Sequence, residues 1–244
     1  MLPLDHIPFH DPDPDALARG FGKLGFTASP ASRYTSPDHP GAAWQGRCVF
    51  LRSGWLDLLC EPSPRRPGAP AACVFRTPDL AGALTELADL SPEPATRLER
   101  RWEDHVGLPP ESFAYAGLRS RIAPTPLAVI QHAWPCPDIR PEWFEHANGA
   151  RAVEGLIFGG EAPGPAATAA ARGLDLTGFE YWPLDRFEAA FAGAPARRAL
   201  RLRTDDLART RAVLEAAGAR FSEAADGIAV PPQFGVNCGV LFRG

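Results

Sequence analysis

The sequence predicts an α+β fold of four βαβββ modules, arranged as two pseudo-duplicated halves. Three observations predict it: a helix-start pattern recurs along the 244 residues, a short apolar strand precedes each copy, and strand-like segments follow each helix. The pattern lies at residues 13–18, 77–81 and 204–208. In each copy Thr or Asp offers an N-cap oxygen to free backbone N–H groups, and the acid complements the helix dipole.

The first module has a histidine, His6, on its opening strand and a carboxylate, Asp57, on its closing strand. The helix between them has apolar residues at core spacing, namely Leu17, Phe21 and Leu24. Gly25 ends this helix, since glycine readily takes the left-handed conformation. Further strands are predicted near residues 26–34, 46–52 and 55–60. A curved sheet built this way aims His6 and Asp57 into one concavity.

The second module begins after a proline-rich linker at residues 61–70. It has a strand at 72–76, a helix with Leu80, Leu84 and Leu87 on one face, and strands near 112–118 and 127–133. The stretch 91–111 breaks the pattern, and we interpret it as an insertion that would form a short helix over the site.

The second half follows a proline-containing link at residues 135–150, so we expect an N-terminal half at 1–135 and a C-terminal half at 136–244. The third module is degenerate, with a strand at 152–158, a poor Ala-rich helix at 166–172 and one clear strand at 177–182. The last module is complete. Its segments are predicted at residues 198–204, 206–217, 219–222, 227–230 and 236–242.

Composition narrows the class of partner. A net charge of −4 and a pI near 5.9 argue against nucleic acid, because phosphate binding requires a basic face. No apolar run approaches the ~20 residues that span a bilayer, and no signal peptide is visible, so we expect a cytoplasmic protein. The five cysteines form no C-x-x-C pair, and Lys23 is the only lysine, which is typical of GC-rich bacterial coding.

Several motifs resemble those of glyoxalase-like proteins in the vicinal oxygen chelate superfamily, which also includes bleomycin resistance proteins and extradiol dioxygenases. The matching segments are Leu4-Asp5-His6, Leu24-Gly25-Phe26, Trp55-Leu56-Asp57-Leu58 and His146-Ala147-Asn148-Gly149-Ala150. The resemblance implies paired βαβββ modules that curl into half-barrel sheets. It also implies a divalent metal held on the inward strand faces, with Zn, Fe, Mn or Ni as candidates. The reaction is not implied, because the superfamily includes isomerases, lyases, dioxygenases and metal-free binding proteins.

The predicted metal ligands are His6, Asp57 and His132. Two histidines and one carboxylate suit iron, manganese or zinc with open coordination positions. The family's usual Glu is Asp57 here, and the shorter side chain shifts a ligand by about 1.5 Å, one bond length. The register of the strand at 127–133 leaves Gln131 and His132 as alternatives. A buried His–Asp hydrogen bond without metal is the other interpretation of His6 and Asp57.

Three further residues are predicted to contact substrate: Trp55, Arg121 and His146. Trp55 shares the face of Asp57, and Arg121 would hold an acidic group if its face points inward rather than to solvent. His146 precedes a strong turn dipeptide, so local capping is its alternative role.

The leading functional hypothesis is a metal-dependent lyase or isomerase of a small oxygenated metabolite, in which the metal stabilises an enolate. The alternatives are a metal-free protein that sequesters a planar compound and an extradiol-type dioxygenase. A small molecule is the expected partner in each case. Pairing of two chains through sheet edges into a homodimer is left open.

Overall fold

The structure is a computed structural model, and we describe residues 1–104, 109–119, 124–133, 140–195 and 197–244. Helices and strands are both present, as the α+β prediction requires. Five α-helices occur in these ranges: α1 (Pro14–Lys23), α2 (Leu80–Glu86), α3 (Pro165–Ala170), α4 (Leu184–Ala190) and α5 (Leu207–Ala216). In the described residues no helix is both long and apolar enough to cross a membrane.

The repeated helix-start pattern forms N-caps, as predicted. Asp13, Asp79 and Asp206 each accept a backbone N–H from three residues later, at 2.8, 3.1 and 3.0 Å. These bonds satisfy donors that the first helical turn cannot pair itself. The caps therefore fix where α1, α2 and α5 begin.

The first half forms one nine-stranded sheet. Its strands are β1 (Leu4–Asp11), β2 (Ser32–Thr35), β3 (Ala43–Phe50), β4 (Trp55–Cys60), β5 (Ala69–Pro70), β6 (Cys73–Arg76), β7 (Thr96–Trp102), β8 (Glu111–Leu118) and β9 (Leu127–His132). The strand order is β4-β3-β2-β7-β8-β9-β6-β1-β5. A further parallel pairing of β1 with β4 closes eight of these strands into a barrel.

Strand β7 corrects our interpretation of residues 91–111 as an insertion with a short helix. The segment Thr96–Trp102 pairs with both β2 and β8 and completes the second module. Its alternation was hard to recognise because an inward position is occupied by a charged residue, Arg100, which is only 4% exposed. Strand alternation predicts apolar inward residues unless a buried charge has partners.

The second half forms a curled six-stranded sheet. Its strands are β10 (Ala150–Gly159), β11 (Glu180–Trp182), β12 (Arg198–Thr204), β13 (Ser222–Ala224), β14 (Gly227–Val230) and β15 (Gly239–Arg243). Their order is β11-β10-β12-β15-β14-β13. In the third module, α4 follows β11 where the other modules continue with strands.

One apolar core lies between the two sheets. Ile7 and Phe9 of β1 pack into it from the barrel, and Phe158 and Phe242 pack into it from the second sheet. Successive residues on a strand point to opposite faces. The other face of β1 therefore points into the barrel.

Candidate active site in the first barrel

The lumen of the first barrel holds a cavity of about 340 Å³. All eight barrel strands contribute side chains to its wall, which places the cavity inside the barrel rather than on its surface. Aromatic and aliphatic residues make up most of the wall, including Trp44, Trp55, Phe113, Tyr115 and Ile130. Most polar residues of the wall belong to one of two clusters, and one of these clusters also includes Asp5, which lies behind the wall.

The first polar group is Asp5 with His6 and His132. One oxygen of Asp5, Oδ2, lies 2.9 Å from Nδ1 of His6 and 3.1 Å from Nε2 of His132. His6 also stacks on Trp55, with ring centroids 4.5 Å apart. Both imidazole rings line the cavity.

An irregularity in β1 makes this group feasible. Asp5 and His6 are neighbours in sequence, so a regular strand would point them to opposite faces. The pairing of β1 with β6 shifts register between Leu4 and His6. This shift brings the Asp5 carboxylate within hydrogen-bond distance of the His6 ring.

The Asp5 carboxyl group is ionised at neutral pH. Burial opposes its ionisation, but hydrogen bonds from His132 and His6 outweigh burial and lower the pKa of Asp5 to about 2. An ionised carboxylate can only accept, so His6 donates through Nδ1–H and His132 through Nε2–H. In neutral His6 the other nitrogen, Nε2, is then a base, and no described residue is hydrogen-bonded to it.

The second polar group surrounds Asp57. Its Oδ1 accepts a hydrogen bond from the Tyr34 hydroxyl at 2.9 Å and from the Cys48 thiol at 3.5 Å. Arg100 donates through Nη1 to Tyr34 and Cys48, both at 3.2 Å, and its other nitrogens contact Glu111. Burial, reinforced by the Asp57 charge, raises the pKa of Tyr34 and the pKa of Cys48. The Tyr34 hydroxyl and the Cys48 thiol therefore keep their protons and remain donors to Asp57.

The three predicted metal ligands all line the same lumen, but they have different partners. His6 and His132 share Asp5, whereas Asp57 is engaged by Tyr34 and Cys48. Among the described residues, no group of three or more His, Cys, Asp or Glu side chains is placed to hold a metal ion. His6, Asp57 and His132 are thus not gathered as one metal site in the described structure, and their metal role stays a prediction.

The register of β9 distinguishes His132 from Gln131. Gln131 points away from the lumen, where its amide accepts from Leu80 N–H and donates to the Pro78 carbonyl, so it supports the start of α2. His132 is the residue of the pair that lines the cavity.

The predicted substrate contacts have different environments. Trp55 lines the cavity, and Arg121 lies outside the described residues. His146 is 1% exposed, and both of its ring nitrogens bind backbone. Its Nδ1 accepts from Thr27 N–H at 3.0 Å, and its Nε2 donates to the Phe50 carbonyl at 2.7 Å. His146 therefore joins the inter-half link to the first module, and it is not among the residues that line the cavity.

Sequence reasoning missed Asp5, Tyr34 and Arg100. Strand alternation assigns Asp5 to the face opposite His6, and only the register shift of β1 reverses that. Tyr34 lies in a segment whose pattern predicts only an ordinary strand. A buried polar cluster would have been suggested by the conflict between Arg100 and its inward strand position.

Comparison with known proteins gives fold relatives only. No family model matches the sequence, and no curated protein matches it. Among solved structures, a mutant of 4-hydroxymandelate synthase from Streptomyces coelicolor matches 92% of this chain and 78% of that one, with a TM-score of 0.51 and 13% identity. The 2,2',3-trihydroxybiphenyl 1,2-dioxygenase from Sphingomonas wittichii matches 100% of this chain and 91% of that one, with a TM-score of 0.52 and 12% identity. At such identities the likeness concerns the fold.

Proposed function

Because this chain has the fold of the vicinal oxygen chelate superfamily, we propose that its first barrel binds a small, planar, oxygenated molecule and moves a proton on it. The reaction class is that of an isomerase or lyase. A single observation carries the proposal: the wall of an apolar, aromatic cavity contains a histidine whose ring is oriented by an ionised, buried carboxylate.

The cavity supports a planar ligand. Its volume of about 340 Å³ is near the lower end of the range for ligand pockets, roughly 300–1,000 Å³. Flat aromatic side chains, among them Trp55 and Phe113, favour a flat ligand because offset or edge contacts between rings are attractive. The names of both structural relatives specify aromatic compounds, which supports the same ligand shape.

Proton transfer would use the chain's own residues. His6 Nε2 takes a proton from a carbon next to a carbonyl group of the ligand, and the C–H electron pair moves toward the carbonyl oxygen to give an enolate. The Asp5 carboxylate stabilises the imidazolium that forms, as a carboxylate does in a His–Asp pair. Return of the proton to another atom completes an isomerisation.

Deuterium exchange tests this proposal without knowledge of the natural substrate. The probe is 2-indanone, a planar bicyclic ketone with exchangeable C–H bonds beside its carbonyl, followed by NMR in heavy water. We expect deuterium exchange of 2-indanone to be faster with the protein than in buffer alone. His6→Gln should lower the catalysed exchange rate by about 100-fold or more. His10→Gln is the matched control, because His10 lies on the same strand and lines the same cavity without contacting Asp5. Loss of exchange in both variants, or in neither, contradicts the role of His6.

A second candidate is a binding protein that sequesters a planar compound without reacting with it. The mainly apolar wall of the cavity favours this candidate. Saturable quenching of tryptophan fluorescence by 2-indanone, with exchange at the buffer rate, would select the binding protein over the enzyme.

The third candidate is a dioxygenase of the extradiol type, which the trihydroxybiphenyl dioxygenase match favours. It requires a metal, and His6, Asp57 and His132 are not gathered as one metal site among the described residues. Oxygen uptake with catechol after incubation with ferrous iron tests it, and no uptake is expected.

A further inference from the structure

A second cavity, of about 620 Å³, lies at the other mouth of the barrel. It is lined by residues at the starts of β1, β4 and β8 and at the ends of β3, β6 and β9, which gather at one end of the barrel. The first cavity extends the opposite way, toward His10 and Glu61, where β1 and β4 end. The two cavities therefore open toward different mouths.

Three side chains separate the cavities. Trp55, Arg100 and His132 line both of them. Asp5 lines only the second cavity, and His6 lines only the first. The Asp5–His6 hydrogen bond thus crosses the partition, and the second cavity is a separate site.

The charges of the second cavity leave a positive rim. Asp5 and Glu111 are both engaged, by the two histidines and by Arg100 respectively. At the rim, Arg76 makes no ion pair with a described residue. The contact of Arg52 is weak, because its carboxylate partner Glu145 is 3.9 Å away and both side chains are more than half exposed. Uncompensated guanidinium groups favour an anionic ligand.

Two buried polar atoms, on residues that line this cavity, have no hydrogen-bond partner within the described part of the chain. They are Oε1 of Glu111 and Nε1 of Trp55, and the Glu111 side chain is only 7% exposed. A buried polar atom left unpaired is costly, so such atoms usually meet a ligand or a water molecule. Glu111 requires a donor and Trp55 requires an acceptor. A hydroxyl group supplies both.

We propose that the second cavity binds a small dicarboxylic acid that carries a hydroxyl group. Its two carboxylates contact Arg52 and Arg76 at the rim, and its hydroxyl group reaches Glu111 and Trp55. This site does not depend on the function proposed for the first cavity.

Calorimetric titration of the full chain with malate and succinate tests the proposal. The two acids share both carboxylates, and only malate has the hydroxyl group. We expect saturable binding of malate, about fivefold tighter than succinate. Arg76→Gln should weaken malate binding about tenfold, since a charge-assisted contact is removed. Both rim arginines are exposed, so their variants should fold normally, which circular dichroism checks.

Two controls locate the bound acid. Arg19→Gln removes an exposed arginine elsewhere, and Trp44→Leu alters the wall of the first cavity without touching the wall of the second. Neither should change malate affinity. The proposal is overturned by absence of saturable heat, by equal binding of malate and succinate, by an unaffected Arg76→Gln variant, or by loss of malate binding in Trp44→Leu. None of these outcomes bears on the exchange reaction in the first cavity, so the two proposals can fail separately.

Discussion

The two halves of the molecule use the same strand pattern but differ on the face that points away from their shared core. In the first half this face encloses a cavity with His6, Asp57 and Arg100 on its wall. In the second half the equivalent face is covered by α4, whose Phe187 packs with the following Phe191 on Ile157, Ala199 and Leu241. Whether a module offers a site therefore depends on what fills that face.

In the second half, glycines on the strands make room for the phenyl rings that cover this face. A Cβ added to Gly159 would lie 2.7 Å from the ring of Phe187, and one added to Gly239 would lie 2.4 Å from the ring of Phe191. Arg201, two residues after Ala199 on β12, pairs with Glu154 at 3.2 Å. Small residues accept the phenyl rings, and an ion pair occupies the neighbouring surface. The second half thus supports the fold, while the first half keeps open space.

The largest effect is expected when Phe187, which covers this face of the second half, is truncated. Phe187 is fully buried, so Phe187→Ala should lower the free energy of unfolding by about 3–5 kcal/mol. Phe113→Ala, in the wall of the first cavity, should cost clearly less, because part of its ring already faces empty space. Urea denaturation of both variants measures the difference. Equal losses would mean that the first lumen is packed as tightly as the second half.

Next in size is the loss of the Asp5 charge. The pKa of Asp5 falls from 3.8 to about 2 on folding, which corresponds to about 2 kcal/mol of stability. This contribution is present above the unfolded-state pKa and disappears as the pH falls through about 2. Asp5→Asn should therefore be less stable than the parent at pH 7 by up to about 2 kcal/mol, with the gap shrinking between about pH 4 and pH 2. A pH-independent gap would show that Asp5 is not ionised in the folded protein.

A smaller loss is expected at His146, which sharpens the distinction between structural and ligand-binding histidines. His146→Gln should lower stability by about 1–2 kcal/mol, because two buried backbone contacts lose their geometry. The affinity for 2-indanone should stay unchanged, measured by tryptophan fluorescence. A marked loss of affinity in a folded variant would restore His146 as a ligand contact.

The smallest change in stability is expected when the first cavity is filled as the second half is. Val74 is buried and lines the lumen. Val74→Phe should change the free energy of unfolding by less than about 1 kcal/mol, since overpacking is costly only where no space exists. Binding of 2-indanone should weaken more than about tenfold. Unchanged binding would place the ligand outside the lumen.

Much of the fold could be predicted because it depends on local chemistry. Short segments of the chain determine the N-caps at Asp13, Asp79 and Asp206. They also determine the alternation in β1 and β4. The third module was also expected to be degenerate. The pattern does not reveal strand β7 because Arg100 occupies an inward position, and its partner Tyr34 lies 66 residues away in sequence.

The site was predicted less completely than the fold. His6, Trp55, Asp57 and His132 do line one lumen, as strand alternation indicates. Their partners depend on details that a period of two residues does not contain. A register shift in β1 lets Asp5 accept hydrogen bonds from both histidines, and the Tyr34 hydroxyl donates to Asp57.

A crystal structure of the protein soaked with 2-indanone tests the central claim most directly. We predict the bicyclic ring inside the first barrel, against Trp55 and Phe113, with an exchangeable carbon beside the imidazole of His6. A ring bound at any other surface, or a lumen closed by its own side chains, would contradict the account.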